Sequence, residues 1–146
     1  VPKSFLILSI NISESRGVQK TPMEKAVFRP DHGIEGDAHA GPWHRQVSLL
    51  ANEDIETMRG KGIEIRCGDF AENITTEGVE LAALPIGTRL HLGKVVLEVT
   101  QIGKECHHDC AIYQAVGDCV MPRQGIFTKV IQGGTISSDS VCYYDL

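Results

Sequence analysis

The chain has 146 residues, 42% hydrophobic and 23% charged, enough for one packed core and too short for two comfortable domains. Its formal charge of −5 argues against a surface that neutralises a phosphate backbone, so nucleic acid is not an expected partner. Apolar runs such as Phe5-Leu6-Ile7-Leu8 fall far below the ~20 residues needed to cross a bilayer, and the sequence opens on no leader-like pattern, so a cytoplasmic location away from membranes is expected.

In chain order, Ser4 to Ile12 is a β-rich run whose near-continuous apolarity predicts a strand covered on both faces. Residues 33 to 50 carry three glycines and Pro42, which oppose regular structure and place Asp37, His39, His44 and Arg45 on a loop. Asn52 is placed to cap the short helix NEDIETMR, with acids in its first turn, Arg59 in its last and Gly60 beyond. Arg89 to Gln101 predicts a hairpin turning at Gly93-Lys94. A second short helix is expected to include Ile112 to Val116, ended by Gly117, before strands at Gly125 to Ile131 and Ser140 to Tyr144. Many strands, few helices and 15 glycines predict one mostly β domain over residues 1–146, a barrel or tightly folded sheet with a few short α-helices.

Three polar stretches offer chemistry. The 33–50 loop would suit an anion, with the Arg45 guanidinium as a planar fork and histidines as further donors; a polar surface turn is the plain alternative. In the 68–78 stretch Asp69, Glu72 and Asn73 are placed to orient a ligand, although such residues more often hydrogen-bond their own turns. Lys20 on its own reads as solvated surface.

The third stretch, GKECHHDC at 103 to 110, holds the densest chemistry. Five cysteines (Cys67, Cys106, Cys110, Cys119 and Cys142) are an odd number in a chain large enough to fold without staples, so reduced thiols are expected. Cys106 follows a predicted strand end, where Lys104, His107 and His108 would stabilise its thiolate, the nucleophilic form. The same residues also read as a zinc site built on Cys106, a histidine, Cys110 and Cys119, whereas Cys110 and Cys119 alone read as buried apolar groups.

Six stretches occur together and in order: VQKTPM at 18–23, GIEGDAHAG at 33–41, HRQVSLL at 44–50, GDFAENITTEG at 68–78, LPIGTRLHLG at 84–93 and TQIGKEC at 100–106. In this combination the chain resembles the MOSC domain, named for the C-terminal domain of molybdenum cofactor sulfurases, and in detail its small standalone bacterial members. The resemblance implies a MOSC-like β-barrel and a role around the molybdenum cofactor (molybdopterin): receiving sulfur, carrying it as a persulfide, or binding the cofactor. It implies that Cys106 is the sulfur carrier or a molybdenum ligand. Lys20, His39 and Arg45 would hold the anionic cofactor or a sulfur donor, with Asp37, Glu72 and Asn73 shaping the site.

The implied partners are a desulfurase as donor and a molybdenum-cofactor enzyme as acceptor, giving a sulfurtransferase-like activity. No pyridoxal phosphate site is expected within the domain, although the family includes pyridoxal-phosphate-linked members. The extra thiols leave room for a resolving cysteine or for a metal on Cys106 and Cys110. Two other readings stay open, a molybdenum-cofactor-dependent oxidoreductase module and a zinc-stabilised binding module without turnover.

Overall fold

The computed structural model describes residues 2–16, 18–62, 64–103 and 124–145. Its first strand, β1 (Lys3–Ile12), buries Phe5, Ile7 and Ile10 but leaves Leu6 59% and Leu8 40% exposed. Over residues 3–8 the run expected to be covered on both faces therefore has one open face, whereas Ser9, Ile10 and Asn11 are all buried and so covered on both. A strand covered on both faces along five residues is β5 (Val47–Ala51), every residue of which is buried.

Seven strands close into a ring. Around it run β1, β6 (Ile74–Glu77), β5, β9 (Ile126–Gln132), β8 (Val95–Ile102), β7 (Arg89–Leu92) and β11 (Cys142–Tyr144), which returns to β1. The closing pairs are Lys3 with Tyr144, Ser4 with Tyr143 and Phe5 with Cys142. Closure leaves those strands no free edge, and β2 (Thr21–Met23) adds to the far end of β1 as a short outer strand. A second, three-stranded sheet, β10 (Gly134–Ser137), β3 (Lys25–Arg29) and β4 (Gly33–Ile34), sends Phe28, Ile34 and Ile136 into the barrel core beside Leu49, Leu90 and Leu97.

All ring pairings are antiparallel except β5 with β6, which are parallel. Parallel neighbours need a crossover, and residues 52–73 supply it, including α1 (Asn52–Arg59). Ile55 and Met58 of α1 pack with Leu50, Ile65, Phe70 and Phe127 in a second apolar cluster outside the barrel, which is why β5 has no polar face. Asn52 is not the cap. Ala51 holds that position without a side-chain hydrogen bond, and Asn52, already helical, accepts from Arg59 Nη1 at 3.1 Å. Gly60 stays in right-handed helical geometry.

The β7–β8 hairpin pairs Leu92 with Val95 across Gly93-Lys94, and Gly93 takes the positive φ (60°) that the turn requires. A 3-10 turn at Leu81–Ala83 precedes it. Among the described residues α1 is the one α-helix with its full span, and no helix is long and apolar enough to cross a membrane. The expected helix at Ile112 to Val116 lies outside the described residues.

Leu97 is fully buried inside the ring, whereas Leu6 faces outward. Leu97→Ala is expected to lower unfolding free energy by about 3 kcal/mol and Leu6→Ala by less than about 1 kcal/mol, read from urea denaturation midpoints. Equal losses would contradict the assignment of inner and outer faces.

Candidate functional site

The loops that follow β1 and β4 meet on one buried cation. Lys20, expected from its isolation in sequence to be solvated, is 3% exposed. Its Nζ donates to Asp37 Oδ1 at 2.7 Å and to Ser13 Oγ at 3.1 Å, and lies 3.0 Å from His39 Nδ1. The Lys20 and Asp37 side chains are both wholly excluded from solvent. Asp37 is itself held by backbone donors, Ser13 N–H at 3.1 Å on Oδ1 and His39 N–H at 3.2 Å on Oδ2. Such a pair gives little net stability over an apolar alternative, but removing one partner strands a buried charge at a cost of about 3–5 kcal/mol.

Lys20 is also fixed through its backbone. Its N–H donates to Gly68 O at 2.9 Å, and a Cβ at Gly68 would lie 2.2 Å from Lys20 O, so only glycine lets the two chains approach so closely. Gly68 opens the 68–78 stretch, whose polar groups face inward. Glu72 is fully buried; its Oε2 accepts from Gly68 N at 3.1 Å and Thr75 Oγ1 at 2.7 Å, and Oε1 from Phe70 N at 3.2 Å. Burial pushes the Glu72 carboxyl above its ordinary value, with these hydrogen bonds opposing the shift. Asn73 ties three strands: its Oδ1 accepts from Ser48 N at 2.9 Å and its Nδ2 donates to Asn11 O at 3.1 Å. Asp69 stands apart, half-buried and accepting from Arg66 N at 2.8 Å.

From His39 the loop runs outward. Its carbonyl accepts from Trp43 Nε1 at 2.8 Å, Trp43 meets His44 edge-on at 5.8 Å, and Arg16 lies 5.1 Å over the Trp43 ring. His44 and Arg45 then converge on Gln101. A register shift between Val99 and Gln101 on β8, opposite Thr128 and Phe127, re-aims the strand there. Gln101 Oε1 accepts from Arg45 Nε at 3.2 Å and lies 2.9 Å from His44 Nε2, while Gln101 Nε2 donates to Gly103 O at 2.7 Å.

Because Arg45 is donor-only, the amide oxygen must face it, and His44 must therefore carry a hydrogen on Nε2. The Thr100 hydroxyl reaches the carbonyls of His44 and Phe127. Arg45 lies over the Phe127 ring at 5.1 Å, and its Nη nitrogens have no partner among the described residues. A guanidinium so oriented can receive an anion without breaking its own support.

The structure thus joins Lys20, Asp37 and His39 in one cluster, links it through Trp43 to His44 and Arg45, and sets Glu72 and Asn73 beneath it across Gly68. Ser13, Trp43 and Gln101 were not singled out from sequence. Lys104, Cys106, His107, His108, Cys110 and Cys119 lie outside the described residues. Of the described thiols, Cys67 is half-buried and Cys142 buried, with desolvation pushing the Cys142 thiol up to about 11. Among the described residues no three His, Cys, Asp or Glu side chains gather as a metal would require.

The closed seven-stranded ring with a single parallel pairing defines a small β-barrel domain. A family model of the MOSC domain matches residues 35–142, and the chain belongs to the MOSC domain family, which is associated with molybdenum cofactor binding and sulfuration. Solved structures share the fold. The YUAD protein from Bacillus subtilis superposes with a TM-score of 0.82 at 17% identity, covering 100% of this chain and 98% of that one. YiiM from Geobacillus stearothermophilus gives 0.73 at 19% identity over 97% and 75% of the two chains. YiiM from Escherichia coli gives 0.66 at 16% identity over 99% and 70%. No curated protein matches the chain in sequence.

The raised Glu72 carboxyl has a signed consequence. An acid whose folded value lies above its unfolded value, near 4.5, stabilises the fold fully below that pH and loses the contribution as pH rises through the folded value. Relative to Glu72→Gln, the natural chain is expected to lose stability as pH rises above about 4.5, read from urea midpoints taken at successive pH values. A pH-independent difference would show that Glu72 holds its proton equally in both states.

Proposed function

We propose that this domain handles sulfur for the molybdenum cofactor, with Cys106 as the carrier and the Arg45 loop as the binding surface for an anionic group. The observation that carries the reading is the chain of contacts from Arg45 through Gln101 to Gly103. Gly103 N–H donates to Gly125 O at 2.7 Å, so the chain leaves the described barrel and rejoins it at one place, beside Arg45. Cys106 is three residues further along the sequence from Gly103.

The donor set fits the cofactor's chemistry at this point. Molybdopterin carries a phosphate, and Arg45 offers the planar pair of Nη donors such a group accepts, with the exposed His44 beside it. When bound, the cofactor supplies a molybdenum centre that takes up sulfur. Lys20 and Asp37, buried against each other, shape the loop rather than meeting the ligand.

Sulfur loading is a thiol exchange. The Cys106 thiolate attacks the terminal sulfur of a donor persulfide, an S–S bond forms to Cys106 as the donor's S–S bond breaks, and the donor leaves as thiolate. The product is a Cys106 persulfide with no net oxidation. Lys104, His107 and His108 are the neighbouring groups that would favour the attacking thiolate. Cys142 has the opposite setting: buried and pushed up to about 11, it stays a thiol at neutral pH.

Incubation with a persulfide donor is expected to add one reducible sulfur to the natural chain and to Cys142→Ser, and none to Cys106→Ser, read by intact mass with metal quantified on the same sample. Equal loading of the two variants would remove Cys106 as carrier, and stoichiometric zinc lost with Cys106→Ser would favour the zinc-stabilised module instead. For the binding surface, Arg45→Ala is expected to weaken binding of the isolated pterin roughly tenfold, whereas Arg89→Ala, which removes only an exposed contact to Glu98, leaves it unchanged. Unchanged affinity in Arg45→Ala would take the anion away from this loop.

A further inference from the structure

We infer that Lys20 is a positioning residue that sets the tautomer of His39, holding its Nδ1 as an acceptor and its hydrogen on Nε2. A lysine ammonium has three N–H bonds and no lone pair. The three polar side-chain atoms around Lys20 Nζ are Asp37 Oδ1 at 2.7 Å, Ser13 Oγ at 3.1 Å and His39 Nδ1 at 3.0 Å. With both Lys20 and Asp37 sealed from solvent, each N–H must be satisfied within this group, and three acceptors meet three donors.

His39 Nδ1 can take part only by presenting its lone pair. A hydrogen on Nδ1 would point at an ammonium that has nothing to accept it. The nearby carboxylate does not reverse this, because Asp37 Oδ2 is 4.0 Å from Nδ1 and already accepts from the His39 backbone N–H at 3.2 Å. The His39 backbone is held as well, its carbonyl accepting from Trp43 Nε1 at 2.8 Å.

Two things follow for the same loop. Lys20 donates nothing directly to a ligand, because its three hydrogens are spent, and it acts through His39. His39, whose side chain is 30% exposed, is then a donor at Nε2, so whatever group meets that nitrogen must accept: an anionic oxygen or a lone-pair nitrogen rather than a cationic or N–H group. This deepens the reading of the loop as an anion-binding surface, but the tautomer is read on the protein alone, so either can fail without the other.

The test is long-range ¹H–¹⁵N correlation NMR of the full chain at neutral to mildly alkaline pH, with His39 assigned by its loss in His39→Gln. The natural chain is expected to show a pyridine-type Nδ1 and a protonated Nε2 at His39, together with a Lys20 ammonium protected from solvent exchange. In Lys20→Met, Nδ1 loses its donor and faces the Asp37 carboxylate, so the pattern is expected to shift toward a protonated Nδ1. Since that variant leaves Asp37 unpaired in the interior, Lys20→Met with Asp37→Asn provides a neutral control, in which His39 is expected to give the averaged shifts of exchanging tautomers. A protonated Nδ1 in the natural chain overturns the inference, and so does a His39 pattern unchanged in both variants.

Discussion

An ammonium that has left water must replace every hydrogen bond it gave up, and Lys20 does so with three groups from two loops. Ser13 follows the end of β1, while Asp37 and His39 follow β4. None of these segments has regular structure to hold its shape, so the shared cation supplies the geometry that a helix or strand would supply elsewhere. Through His39 and Trp43 the constraint extends to His44 and Arg45, and through the Lys20 backbone to Gly68 and the turn above Glu72. The arrangement is worth more as a specification of loop shape than as stabilising energy, since a buried pair gains little net free energy while forbidding most alternatives.

Beneath the loops lies a second buried polar layer whose function is mechanical. Asn11, Ser48 and Asn73 bridge β1, β5 and the start of β6 near the barrel's one parallel pairing. Side-chain amides can satisfy backbone donors and acceptors where strand ladders are irregular, and β1 does shift register between Ile7 and Ser9. Glu72 is held by three donors, a setting for ordering the 68–75 turn. Among the described site residues, then, depth separates the buried Lys20, Asp37, Glu72 and Asn73, which fix the loops, from His39, His44 and Arg45, which reach solvent.

How far the sequence could be read follows from the range of the interactions. The β7–β8 hairpin is local, and alternating residues around Gly93-Lys94 disclosed it. The barrel itself was legible from strand number and punctuation, reinforced by six ordered motifs. The burial of Lys20 was not legible, because its partners lie seven, seventeen and nineteen residues away and an isolated lysine is ordinarily solvated. Similarly, Ser4 to Ile12 and Val47 to Ala51 are both rich in apolar residues, but only the second lies under α1, and no local pattern tells which strand a helix will cover. Asn52 had the right chemistry for a cap and sits one residue too late, because β5 runs directly into α1 and leaves no turn for capping. The small sheet of β3, β4 and β10 was missed because its strands are short and one begins at Gly134, in a glycine pair, where sequence pattern favours a break over a strand.

The closure of β1 onto β11 carries a consequence for synthesis. The ribosome makes β1 well over a hundred residues before β11, so the edge of β1 that will hold Cys142 and Tyr143 lacks its partner throughout that interval. Over that interval its neighbours include Leu6 and Leu8, and an open strand edge beside apolar side chains is what other chains pair with. The feature that leaves the finished ring without edges thus makes the growing chain depend on the late-made β11 for protection.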